Sequence, residues 1–229
     1  MNVLADPEVL RVPCGRKALV PVSLFNSRSS SEEALNLVER LAESFDHVVI
    51  FIADGLQVYN EARDKSSAVL NDNPIDLRVQ EFCVRARGVA PPGKLEVCGV
   101  DSLTDRAFFR IYRRLAILRY VDPNFGAAIS KAADLYCRYQ HLASNAAREL
   151  SAAYLLEEAA LNLRLRVVDK IEAEFYMGGR LPKPLVNLYR GKYMASVFEL
   201  TDTPPSPIDF LFFELRSEGE GKGRLTRVS

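Results

Sequence analysis

Apolar positions along the chain fall into two patterns, short continuous runs and longer stretches at helical spacing. The first run, residues 18–23, ends in a polar turn. Residues 33–45 follow with Leu35, Val38, Leu41, Ala42 and Phe45 at helical spacing, with Ser30 or Ser31 as the N-cap and Glu32 and Glu33 in the first turn. Residues 47–53 (HVVIFIA) are a continuous β-branched run, the mark of a strand buried on both faces. Asp54-Gly55 closes that strand, and 56–70 reads as the next helix. Asn71-Asp72-Asn73-Pro74 breaks the pattern. A short, partly basic helix is predicted over 75–87 and a third strand over 94–100, after the turn Ala90-Pro91-Pro92-Gly93. Long helices are predicted over 105–120, 123–141 and 145–165, and a fourth strand over 173–176. Gly178-Gly179, Pro182 and Pro184 mark a loop. Residues 185–189 read as a short helix or turn, 194–200 as a late strand, and 211–215 as a strand or part of a helix. The first dozen residues read as a loose lead-in, and the Gly- and charge-rich stretch 217–229 as a disordered tail.

Strand–helix–strand alternation followed by helices predicts a single α/β domain over residues 1–216. It would be a Rossmann-like, doubly wound, mostly parallel sheet with helices on both faces. A chain of 229 residues suits one such domain. Lys and Arg number 30, as do Asp and Glu, so a strongly basic nucleic-acid binder is disfavoured while a local basic face is not. Four scattered cysteines without C-x-x-C spacing, and only two histidines, argue against a metal site. No signal peptide or membrane-length apolar run is read, so the expectation is a cytoplasmic protein with reduced thiols and no membrane partner. No G-x-G-x-x-G follows the first strand and there is no Walker A lysine motif, which disfavours dinucleotide and ATP chemistry and leaves no cofactor expected.

Ser27 carries the strongest chemical suggestion. It follows the first strand and precedes a helix, where open α/β sheets bind ligands and where backbone N–H groups can hold an oxyanion. A lone serine there is more often a turn or cap residue. There is no G-x-S-x-G elbow and no histidine with a triad role, so attack by Ser27 needs a substrate that brings its own base and leaving group, as an activated ester with a free amine does. Tyr154 and Glu158 lie four apart on an alanine-rich helix and share a face, with Glu157 beside them. A phenol and a carboxylate so placed can hold an ammonium and move a proton. The alternative is an exposed polar stripe. Tyr176, at the end of a strand, is either a site residue or a core tyrosine. Arg63, Lys65, Arg78, Arg85 and Arg87 form one basic group and Arg110, Arg113, Arg114 and Arg119 another; either a solvated face or phosphate contacts would account for them.

Four stretches together resemble the cyclodipeptide synthases: SLFNSRSS at 23–30, FIADGLQVYN at 51–60, YVDPNF at 120–125 and AYLLEEAA at 153–160, with FYMGGRLPKP at 175–184 a looser match. The resemblance covers about residues 18–193. It implies a fold like the catalytic domain of class I tyrosyl- and tryptophanyl-tRNA synthetases, without their ATP-binding signatures. It implies two aminoacyl-tRNAs as substrates and a cyclic dipeptide as product. Ser27 matches the serine that becomes aminoacylated, and Tyr154 and Glu158 match the pair that binds the aminoacyl amine and assists proton transfer. Tyr176 matches the strand-end tyrosine of the site, ahead of Tyr189. Phe25, Asn26, Tyr112 and Glu157 are the implied substrate-binding neighbours, and Arg63, Lys65, Arg78, Arg85 and Arg87 the implied tRNA contacts. The chain departs from the family in having Phe25 where many members have glycine, Ser30 where one branch has asparagine, and Met177 where the other has proline. A further family tyrosine falls at Phe109, with Tyr112 three residues on. A monomer is the expected state. The rival readings are a non-catalytic α/β module that binds tRNA or a small ligand, and a serine acyltransferase or hydrolase acting on simple esters.

Overall fold

The computed structural model describes residues 2–4, 16–22, 31–53, 74–139, 144–176, 211–217 and 222–227. Phe25, Asn26 and Ser27, with the turn expected there, lie outside these residues, as do Arg63, Lys65 and the elements expected at 56–70, 185–189 and 194–200.

The chain begins with β1 (Asn2–Leu4) and β2 (Lys17–Val22), followed by α1 (Ser31–Ser44), β3 (His47–Ile52), α2 (Pro74–Val89) and β4 (Leu95–Gly99). Next come the single-turn α3 (Val100–Leu103), then α4 (Arg106–Val121), α5 (Pro123–Tyr139) and α6 (Asn145–Val168). Strands β5 (Ile171–Tyr176), β6 (Leu211–Ser217) and β7 (Lys222–Arg227) close the chain. The sheet has seven strands in the order β1-β7-β6-β5-β2-β3-β4. β2 to β6 are mutually parallel; β7 runs antiparallel to β6, and β1 parallel to β7.

Two expectations are corrected. The lead-in holds an edge strand, β1, and the tail from 217 holds β7, paired to β6 with Leu215 opposite Leu225. Composition misled because strands at or near a sheet edge need few apolar residues and commonly carry charge; backbone pairing, which composition does not reveal, orders them.

Strand parity sorts the core into two layers. Ala18, Val20, Val22, Val48, Ile50 and Ile52 face α1 and α2; Leu19, Val49, Phe51 and Cys98 face α3 to α6. On β5 the parity is reset, because one extra residue opposes β2 between Lys17↔Ile171 and Ala18↔Ala173. Ile171 therefore joins the α6 layer, whereas Ala173 and Phe175 join the α1 layer. Glu174 is left facing α6, the kind of re-aiming a β-bulge produces.

The chain winds from β2 through β3 to β4 on one side, then returns to lay β5 and β6 on the other side of β2. The gap between β2 and β5 is the topological switch point, where a crevice opens beyond the strand C-termini. The YVDPNF stretch is a helix-to-helix corner. Asp122 N–H donates to Leu118 O to end α4, while its carboxylate accepts from Asn124 N at 2.8 Å and Phe125 N at 3.2 Å to start α5. Phe125 is fully buried.

Candidate active site

α6 sets the level of the site. Only Asp169 and Lys170 separate it from β5, so the two run antiparallel. Arg166 Nη2 donates to Glu174 Oε2 at 3.1 Å, which fixes those residues at one height. Glu158 is eight residues nearer the helix N-terminus, about 12 Å along its axis. Tyr176, the last residue of β5, is two residues beyond Glu174, about 7 Å along the strand. Glu158, and Tyr154 one turn further, therefore stand beyond the C-terminal edge of β5. β2, the next strand, ends at Val22 on the same edge and leads toward Ser27.

The Tyr154 hydroxyl donates to Glu158 Oε1 at 3.4 Å. The Tyr154 ring packs against the α4–α6 core and lies 5.4 Å from the Tyr136 ring of α5. Alongside, Cys137 Sγ and Ser151 Oγ meet at 3.3 Å in the buried α5–α6 seam. Across the α4–α6 seam, Tyr112 is half-buried and stacks on Phe108 at 5.9 Å. Burial raises the Tyr112 phenol pKa, the Glu157 carboxylate raises it further, and Arg119 opposes both. Glu157 thus acts on Tyr112 through its charge. Phe109, where the family pattern puts a tyrosine, is 60% exposed instead.

Of the basic residues expected to contact tRNA, Arg85 and Arg87 are not gathered at this helix. Arg85 and Arg87 lie on α2, whose Phe82 and Ala86 pack in the α1 layer on the opposite face of the sheet from α6. Arg85 is paired with Glu32 of α1, while Arg87 is exposed; Arg78 lies on the same helix.

Three features escaped sequence reading. Tyr136 backs Tyr154. Arg166 and Glu174 are almost fully buried, and the signal was a charged residue inside each of the apolar stretches RLRVV and EAEFY. Asn162, one turn below Glu158, is 5% exposed, and its Oδ1 has no hydrogen-bond partner among the described residues. Its signal was a lone amide at i+4 from Glu158. Among the described residues there is no cluster of potential metal ligands and no helix long and apolar enough to cross a membrane.

No protein-family model and no curated protein matches the chain. Solved structures do match. A cyclodipeptide synthase from Fluoribacter dumoffii aligns over 93% of this chain and 90% of its own, at 16% identity and a TM-score of 0.58. One from Streptomyces noursei aligns over 77% of this chain and 88% of its own, at 15% identity and a TM-score of 0.58. Tyrosyl-tRNA synthetase from Archaeoglobus fulgidus aligns over 82% of this chain and 54% of its own, at 14% identity and a TM-score of 0.50. The chain has the Rossmann-like α/β fold of the cyclodipeptide synthases, which is the fold its motifs imply.

Proposed function

We propose that the chain is a tRNA-dependent cyclodipeptide synthase, an aminoacyltransferase that joins two aminoacyl groups into a 2,5-diketopiperazine. Ser27 Oγ attacks the ester carbonyl of a first aminoacyl-tRNA. The bond to the ribose oxygen breaks, that oxygen takes up the serine proton, and tRNA leaves. Tyr154 and Glu158 hold the α-amine of the aminoacyl group on Ser27. That amine attacks the ester of a second aminoacyl-tRNA, which leaves a dipeptidyl ester on Ser27 and releases the second tRNA. The new terminal amine then attacks the Ser27 ester, closing the ring and returning the proton to Oγ. Tyr176 assists orientation in this last step, and Phe25, Asn26, Tyr112 and Glu157 border the substrate.

The energetics are coherent without ATP, because the aminoacyl ester is already activated. The protein contributes proximity, amine positioning and oxyanion stabilisation. The observation that carries the reading is the Tyr154–Glu158 pair, 3.4 Å apart and beyond the C-terminal edge of β5 at the switch point of this fold.

The test is expression in a bacterial host with mass spectrometry of the medium, wild type beside Ser27→Ala. Cyclic dipeptides from wild type alone are the expected result. A folded wild type that forms neither product nor aminoacyl-serine with a full set of charged tRNAs would overturn the reading.

A further inference from the structure

Helix α4 has five arginines, Arg106, Arg110, Arg113, Arg114 and Arg119, and no acidic residue, in a chain whose 30 basic and 30 acidic residues balance only when these five are included. By contrast α2, the other basic helix, offsets Arg78, Arg85 and Arg87 with Asp76 and Glu81. The α4 core face is built from Phe108, Ile111, Leu115 and Leu118. At about 100° per residue, Arg106, Phe109, Arg110, Arg113, Ile117, Tyr120 and Val121 fall on the opposite side, in a stripe about 120° wide. All seven are exposed; Tyr120 is 79% and Phe109 60% accessible. Arg119 lies off this stripe and is engaged by Glu149 at 2.9 Å.

Arg106, Arg110 and Arg113 have no ion-pair partner among the described residues, and exposed aromatics interleaved with such charge are what a single-stranded nucleic acid requires, rings for its bases and guanidinium groups for its phosphates. A protein partner recognising the apolar residues alone would leave three arginines to be desolvated without counter-charge. The stripe also has a position suited to the proposed reaction: α4 packs directly on α6, the helix that carries the Tyr154–Glu158 pair.

We infer that the outward face of α4 is the surface on which the RNA of the aminoacyl-tRNA docks. Arg106, Arg110 and Arg113 hold phosphates, and Phe109 and Tyr120, about 16 Å apart along the helix, stack unpaired bases. This inference rests on the synthase reading and moves the RNA footprint from α2 to α4.

The test is fluorescence anisotropy of the full chain with deacylated bulk tRNA over a salt series, with circular dichroism to establish folding. Arg110→Ala/Arg113→Ala weakens binding at least tenfold and lowers the salt slope by about 2. Phe109→Ala and Tyr120→Ala each weaken it about tenfold. Wild-type affinity and slope in these variants, a wild type indifferent to tRNA, or a larger loss in Arg85→Ala/Arg87→Ala would each overturn the inference. Assaying aminoacyl-Ser27 in parallel separates the two proposals. Binding that depends on α4 without any serine ester keeps the surface and removes the synthase. A serine ester formed at the wild-type rate by the double arginine variant keeps the synthase and removes the surface.

Discussion

Arg166 on α6 and Glu174 on β5 form an ion pair at 3.1 Å with side chains only 4% and 1% exposed. Burial pushes the Glu174 carboxyl up and the Arg166 guanidinium down to about 10, and each partner's charge opposes the other's shift. This is the tie that sets the height of α6 over the sheet, and with it the height of Tyr154 and Glu158. The bulge in β5 is what turns Glu174 toward it.

Glu174→Ala leaves a buried guanidinium without its carboxylate, and a loss of about 3–5 kcal/mol in urea unfolding is expected. Replacing both partners by apolar residues, Arg166→Met with Glu174→Leu, recovers most of that loss. A single-variant loss below ~1 kcal/mol would show that water reaches the pair.

Glu158 and Glu157 are neighbours with different surroundings. Glu158 accepts from Tyr154, whereas Glu157 acts on Tyr112. Glu158→Gln is expected to lower cyclic dipeptide formation at least ~100-fold, the scale of a lost proton-transfer group. Glu157→Gln should stay within about tenfold. Equal effects in a product assay would mean that the wrong carboxylate has been assigned the amine.

Much of the α/β core was legible because its elements announce themselves locally. HVVIFIA reads as a buried strand and becomes β3, and the helical spacing of Leu35, Val38, Leu41 and Ala42 becomes α1. The order of strands in the sheet was not legible in residue detail, since β1 and β7 are held by edge pairing rather than by an apolar pattern. In the site, Tyr154 and Glu158 were readable from i, i+4 spacing. Tyr136, Asn162 and the Arg166–Glu174 pair were not, because each depends on which helix faces which strand. The position of Arg85 and Arg87 across the sheet from α6 was hidden for a similar reason: charge counted along the chain ignores the face of the sheet on which a helix packs.

Gly126 sits where α5 passes the end of α4. A Cβ there would lie 2.5 Å from the carbonyl oxygen of Arg119, a backbone atom. Gly126→Ala must shift one helix against the other, and a destabilisation of about 1–3 kcal/mol is expected. Thermal unfolding measures it; an unchanged midpoint would show that the corner yields freely.

Lys170 joins α6 to β5 with φ of 59°, in the left-handed region. It follows Asp169, whose N–H donates to Leu165 O and ends the helix. A side chain in this conformation costs about 1 kcal/mol, which glycine avoids. Lys170→Gly is expected to stabilise the protein by about 0.5–1 kcal/mol in chemical denaturation. A loss would mean that the Lys170 side chain makes a contact worth more than the strain.

Asp105 links α4 to α6 and makes stability depend on acid. Its carboxylate caps α4 by accepting from Phe108 N at 2.9 Å, and it accepts from Arg164 Nη2 at 2.8 Å and Nε at 3.1 Å. The hydrogen bond from Arg164 and then the cap hold its pKa below the usual carboxylate range, with burial opposing. A depressed folded value means that the stabilisation is fully present above the ordinary pKa near ~3.9 and is lost as pH falls through the lower folded value. Asp169, the other partner of Arg164, has its pKa raised, chiefly by burial, and so contributes with the opposite sign. Comparing wild type with Asp105→Ala at each pH largely removes that background. The variant should be less stable by about 1–2 kcal/mol at pH 7, the scale of a lost N-cap. The gap should narrow steadily below pH ~4 as wild-type Asp105 takes up its proton. A gap that stays constant down to pH ~2 would mean that the ionised carboxylate is not what holds the start of α4 to α6.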